Sequence, residues 1–72
     1  MRDEIDIQVG KTIREFRRQR GLTQTQLGES IGVSFQQVQK YENGTNRVVA
    51  SRLWRMSKVL DKKIHMFFKD ID

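Results

Sequence analysis

Two pairs of residues, Thr23 with Gln26 and Ser34 with Gln37, stand on either side of Gly32 and restrict this chain more than any other feature. A hydroxyl side chain at a helix N-cap accepts from an exposed backbone N–H of the first turn. A glutamine three residues on reaches back to the N–H of the cap itself. Each pair therefore starts a helix. Leu27 and Ile31 recur at helical spacing after the first cap, and Val38 and Tyr41 after the second, so each helix has one apolar side. Gly32 supplies a turn between them, and Asn43–Gly44 breaks the second helix. The pattern predicts two short helices joined by a tight turn, with a core of about residues 23–42. Gly28 lies inside the first helix, where glycine costs roughly 0.5–1 kcal/mol against alanine. Its spacing from Gly32 points to close approach of the two helices.

The flanking segments read as helices too. Val9, Ile13 and Phe16 form a buried stripe on a helix from about Ile7 to Arg20, with Asp6 as N-cap and Gly21 as terminator. Leu53, Met56 and Leu60 share one face of a helix within Val48–Leu60. Asp61 is then expected to cap a last short helix, Lys62–Phe68, whose Ile64, Phe67 and Phe68 are apolar and whose Phe67 belongs to the core. No useful length shows the two-residue alternation of a half-buried strand. The expected fold class is all-α, a compact bundle of five short helices without a sheet. Residues 1–72 are expected to form one domain, frayed over residues 1–5 and 69–72.

A chain of 72 residues buries a limited core. With no cysteine and one histidine, it has neither a disulfide framework nor the ligands of a thiolate or His-cluster metal site. No phosphate-cradling glycine loop and no acid pair in a plausible cleft marks a reaction centre. The expectation is a non-enzyme with no cofactor and no small-molecule ligand. No apolar run is long enough to span a bilayer and no signal segment is evident, so no membrane role and a cytoplasmic location are expected.

The net charge is +5, from 14 Lys and Arg against 9 Asp and Glu. Lys11, Arg14, Arg17, Arg18 and Arg20 face only Glu15 in their segment, and Thr45–Lys58 carries Arg47, Arg52, Arg55 and Lys58 without an acid. These basic segments flank a nearly neutral motif whose second helix presents Gln36, Gln37 and Lys40 with no acid beside them. Glutamine can bind adenine N6 and N7 together, and lysine can donate to guanine O6 or N7. A basic surface around such a helix has the form of a phosphate footprint on double-stranded DNA.

The chain resembles the Cro/repressor helix-turn-helix family, the XRE type. The resemblance rests on Gly21–Leu22–Thr23–Gln24, Leu27, Ile31–Gly32–Val33–Ser34, Tyr41–Glu42–Asn43–Gly44, and the ending from Leu60–Asp61 to Phe67–Phe68. Gly28 stands where the family more often has alanine. The resemblance implies a lambda-repressor-like DNA-binding domain and a sequence-specific transcriptional regulator. It would bind a palindromic operator as a homodimer, with repression as the default for so short a chain. An antitoxin of a toxin–antitoxin pair, or a protein-interaction module that does not read DNA, are the alternatives.

The resemblance also implies residue roles. Ser34, Phe35, Gln36, Gln37 and Lys40 would meet base edges, with Phe35 either touching a thymine methyl or packing partly under the first helix. Thr23, Gln24, Asn43, Asn46 and Arg47 would hold phosphates. Arg17 and Glu42 would form a structural ion pair. Trp54, Met66 and Phe68 are candidates for a dimer interface, with core closure as the plainer reading. Gln39 is expected to point away from the groove, His65 to lie on the surface, and Arg52, Arg55 and Lys58 to make no base contact.

Overall fold

The structure is a computed structural model that describes residues 3–71. The expected fraying of residues 1, 2 and 72 lies outside the described residues. Four α-helices follow one another, α1 (Glu4–Gln19), α2 (Gln24–Ile31), α3 (Phe35–Glu42) and α4 (Ala50–Val59), and a 3-10 helix, Ile64–Phe68, closes the chain. No strand occurs among the described residues. The class is all-α, as the spacing of apolar residues predicts.

The helix starts follow the hydroxyl caps where these exist. Thr23 Oγ1 accepts from Gln26 N at 3.0 Å, and Gln26 Oε1 accepts from Thr23 N at 2.9 Å, which completes the reciprocal cap of α2. Ser34 Oγ accepts from Gln37 N at 3.2 Å and starts α3. Between them Gly32 takes a left-handed φ of 80°, a conformation that costs glycine nothing. Gly28 is tightly enclosed. A Cβ there would stand 2.5 Å from the carbonyl oxygen of Val33, so the missing methyl lets the turn fold back on α2.

Two boundaries differ from the expectation. α1 begins at Glu4, because Asp3 has the same capping chemistry as Asp6 and meets the chain first. Its carboxylate accepts from Ile5 N at 2.7 Å and Asp6 N at 3.3 Å. Asp6 therefore sits within the first turn, where an acid still complements the positive end of the helix. Asp61 caps no helix. It takes a φ of 55° just beyond α4, and Lys62 N reaches back to Ser57 O at 2.9 Å. It serves as the left-handed terminator of α4, a role that aspartate tolerates better than most residues. The last helix accordingly starts later, at Ile64, has the tighter 3-10 winding and lacks a side-chain cap.

α3 packs against both α1 and α2, while α4 supports α2 and the 3-10 helix lies against α1 and α4. The core joins Val9, Ile13 and Phe16 of α1 to Leu27, Ile31, Val38, Tyr41, Leu53, Met56, Leu60 and Phe67. Phe67 is fully buried, edge-on to Phe16 with ring centroids 5.2 Å apart and planes at 81°. Of the other apolar residues of the last helix, Ile64 and Phe68 are exposed and Met66 is half-buried.

Candidate nucleic-acid interface

The buried side of α3 is Val38, Tyr41 and Glu42, which leaves the opposite side to solvent. Phe35, Gln36 and Lys40 are exposed there, and Gln37 is half-buried beside them. Phe35 is 45% exposed, so the reading that packs it under α1 is set aside. Ser34 is exposed at the helix start with its oxygen engaged as the cap. The outward side chains of α3 are thus one aromatic ring, amides and an ammonium.

The loop after α3 is tied by its own backbone. Thr45 N and Asn46 N both donate to Lys40 O, at 3.0 and 3.2 Å. Asn43 Oδ1 accepts from Thr45 N at 2.9 Å and from the Thr45 hydroxyl. Asn46 is half-buried and Arg47 exposed. Arg47 Nε donates to Asp6 Oδ2 at 3.1 Å. The hydrogen bond that Arg47 donates to Asp6, then the charge of Asp6 and that of Asp3, raise the guanidinium above its ordinary pKa. Arg47 therefore already has an anionic partner within the fold. Sequence spacing gave no sign of Asp6 in this role.

Arg17 and Glu42 meet across the α1–α3 contact, with side chains 10% and 4% exposed. Arg17 Nε donates to Glu42 Oε2 at 2.6 Å, Nη2 to Oε1 at 3.1 Å, and Nη1 to Leu22 O at 2.8 Å. Gln24 Nε2 adds a donor to Glu42 Oε1 at 3.1 Å. One carboxylate at the end of α3 thus gathers α1, the start of α2 and α3 into fixed angles. Gln24 braces α3 through this bond, and Thr23 is exposed next to it with its N–H and hydroxyl oxygen engaged in the cap.

Two residues that the sequence reading did not assign to this surface lie at its edge. Arg14 and Gln39 line a groove of about 400 Å³ together with Gln24, Glu42 and Asn43. Gln39 is exposed on the last turn of α3. Elsewhere, Trp54 is 55% exposed and Phe68 39% exposed. Trp54 and the half-buried Met66 line one broad depression of about 760 Å³; Phe68 is outside that lining. Lys58 Nζ stands 4.9 Å from the Trp54 ring. Arg55 and His65 are exposed. Arg52 is half-buried, and its Nε has no hydrogen-bond partner among the described residues.

A capped helix, a glycine turn and a second helix with its polar face outward define a helix-turn-helix protein. The sequence model of the helix-turn-helix family HTH_3 matches residues 13–67. This chain belongs to that family, the XRE type, and carries the DNA-binding fold of its transcriptional regulators. An uncharacterized HTH-type transcriptional regulator of Sinorhizobium medicae (strain WSM419) is 54% identical over 66 residues, covering 92% of this chain and 48% of the relative. An uncharacterized transcriptional regulator in the ATPase CF(0) region of Rhodospirillum rubrum is 47% identical over 68 residues, covering 94% of this chain and 63% of the relative. The chain spans about half the length of the Sinorhizobium relative. Among solved structures, the restriction-modification controller protein C.AhdI from Aeromonas hydrophila superposes with a TM-score of 0.81 at 26% identity, over 86% of this chain and 94% of that one. The biofilm master regulator SinR, solved in complex with DNA, superposes with a TM-score of 0.77 at 24% identity, over 83% of this chain and 97% of that one. No described helix is long and apolar enough to cross a membrane.

Proposed function

We propose that this chain is a sequence-specific DNA-binding unit that docks α3 in the major groove, binds a palindromic operator as a homodimer and represses transcription by occupying it. The observation that carries the reading is the outward side of α3, where Phe35, Gln36 and Lys40 are exposed and no acid accompanies them. Gln36, Gln37 and Lys40 take the base edges, with Ser34 and Phe35 at the leading end of the helix. Thr23, Gln24, Asn43, Asn46 and Arg47 border that helix and hold phosphates, which positions the protein without reading sequence. Residues 1–72 serve as one such unit in the cytoplasm.

Dimerisation is assigned to Trp54, Met66 and Phe68. Aromatic and methionine side chains are enriched where protein surfaces join, and two of these three are exposed. Repression needs nothing beyond occupancy of the operator.

Selection of bound fragments from a random DNA pool tests the reading. The expected product is a palindrome whose half-sites lie about one helical turn apart, roughly 34–36 Å. Recovery of no preferred sequence, with only weak association that salt abolishes, overturns it.

A further inference from the structure

We propose that Phe35 selects the C5 methyl group of a pyrimidine, so that 5-methylcytosine serves at that base position as thymine does, and methylation of a cytosine there strengthens binding. The inference rests on the DNA-binding reading above and deepens it, by naming the chemical group one residue selects and a DNA modification that regulates the site.

Phe35 opens α3 directly after the Ser34 cap and is 45% exposed. It belongs neither to the buried core nor to the partly buried apolar residues packed against that core. A single exposed apolar side chain is common on a protein surface. This one is distinguished by its place. The other apolar residues of α3, Val38 and Tyr41, are buried, so Phe35 is the one exposed apolar side chain of that helix. Its outward neighbours are the amides of Gln36 and Gln37 and the ammonium of Lys40. Ser34 does not compete with it for the leading position, because its Oγ accepts from Gln37 N at 3.2 Å as the cap.

A phenyl ring has no conventional hydrogen-bond donor or acceptor. It therefore cannot read the ring nitrogens, carbonyls and amino groups that distinguish most base edges. The faces of stacked bases are covered, and the major groove displays edges alone. One group on those edges is apolar, the C5 methyl of thymine. Cytosine displays its amino donor beside a C5 hydrogen. A ring pressed on that edge strips water from the amino group and returns no hydrogen bond. A methyl added at C5 of cytosine occupies the same position on the pyrimidine ring as that of thymine. The apolar contact treats the two alike, while Gln36, Gln37 and Lys40 read their own bases through hydrogen bonds.

The test uses the pool-selected duplex. Each thymine of a half-site is replaced singly by deoxyuridine, which removes the methyl and keeps every hydrogen-bonding group. Each cytosine, and a cytosine–guanine pair placed at any thymine that responds, is compared with its 5-methylcytosine form. At one position the methyl should tighten wild-type binding about fourfold, the worth of one buried methyl. Phe35→Ala should bind both members of that pair equally, and Phe35→Leu should keep a reduced difference. Arg47→Ala should weaken both members and keep the full difference, which separates the methyl contact from general loss of grip. Indifference of wild type to every methyl overturns the proposal. So does a methyl effect that survives in Phe35→Ala, or one that is undiminished in Phe35→Leu. An effect at thymine that 5-methylcytosine fails to reproduce overturns methylation sensing. Recovery of no preferred sequence from the pool removes the DNA-binding reading itself, whereas a clear preference without a methyl effect removes the role of Phe35 alone.

Discussion

Gln36 and Lys40 are exposed on α3, and neither side chain has a hydrogen-bond or ion-pair partner to relinquish among the described residues. Replacing either with Ala should cost about 1–3 kcal/mol on the selected duplex and relax base choice at one position, as read by competition between single-base variants. An equal loss on every duplex would remove them from base reading. Arg47 differs because Asp6 already holds it at 3.1 Å. Arg47→Ala should weaken all duplexes alike and reduce the salt slope by about one unit. Asp6→Asn should tighten all duplexes a few-fold, since the guanidinium then meets phosphate without leaving a carboxylate; weaker binding would show instead that Asp6 aims Arg47. Buried charge raises the stakes further. Arg17→Met leaves Glu42 desolvated without its bidentate partner, and we expect a loss of about 3–5 kcal/mol in urea unfolding. The double change Arg17→Met with Glu42→Leu should recover much of that loss, because no unpaired charge then remains.

The helices sit close because small residues face backbone at their crossings. Gly10, buried on α1, is one that the sequence reading passed over. A Cβ there would lie 2.2 Å from Tyr41 O and 2.8 Å from Glu42 O. Gly10→Ala should therefore destabilise the fold by about 1–3 kcal/mol, since the α1–α3 contact must open and backbone cannot turn aside as a side chain can. A variant as stable as wild type in thermal unfolding would show that α1 can shift at no cost. Such an opening would also move Arg17 from Glu42. The turn between α2 and α3 was legible because its signals are local: two hydroxyl caps, a glycine and a breaker. The start of α1 was less so. Asp3 and Asp6 carry the same capping chemistry, and only the added turn of helix separates the alternatives.

The whole molecule presents two unlike surfaces. One is α3 with its loop; the other is the exposed apolar side chain of Trp54, which lines a depression with Met66. If the second joins two copies, Trp54→Ser should shift sedimentation toward the monomer. It should weaken operator binding and leave the base preference of a half-site unchanged. Unaltered sedimentation of a dimer would place the contact elsewhere. The molecule measures 29 × 24 × 21 Å along its principal axes, so helices at opposite ends of a dimer could reach successive turns of one face of a duplex.

Caps, apolar stripes and breakers were readable from the chain because each depends on residues within a turn or two of one another. Those signals are enough for the number of helices, the buried side of each, and the outward amides and lysine of α3. Pairings across the fold were not available in that way. Arg47 finds Asp6 from 41 residues away, and Arg17 finds Glu42 only through the crossing of α1 and α3. Neither encounter has a local hydrogen-bond signature. Both depend on the angle between packed helices, which close backbone contact at Gly10 and the Arg17–Glu42–Gln24 cluster set together.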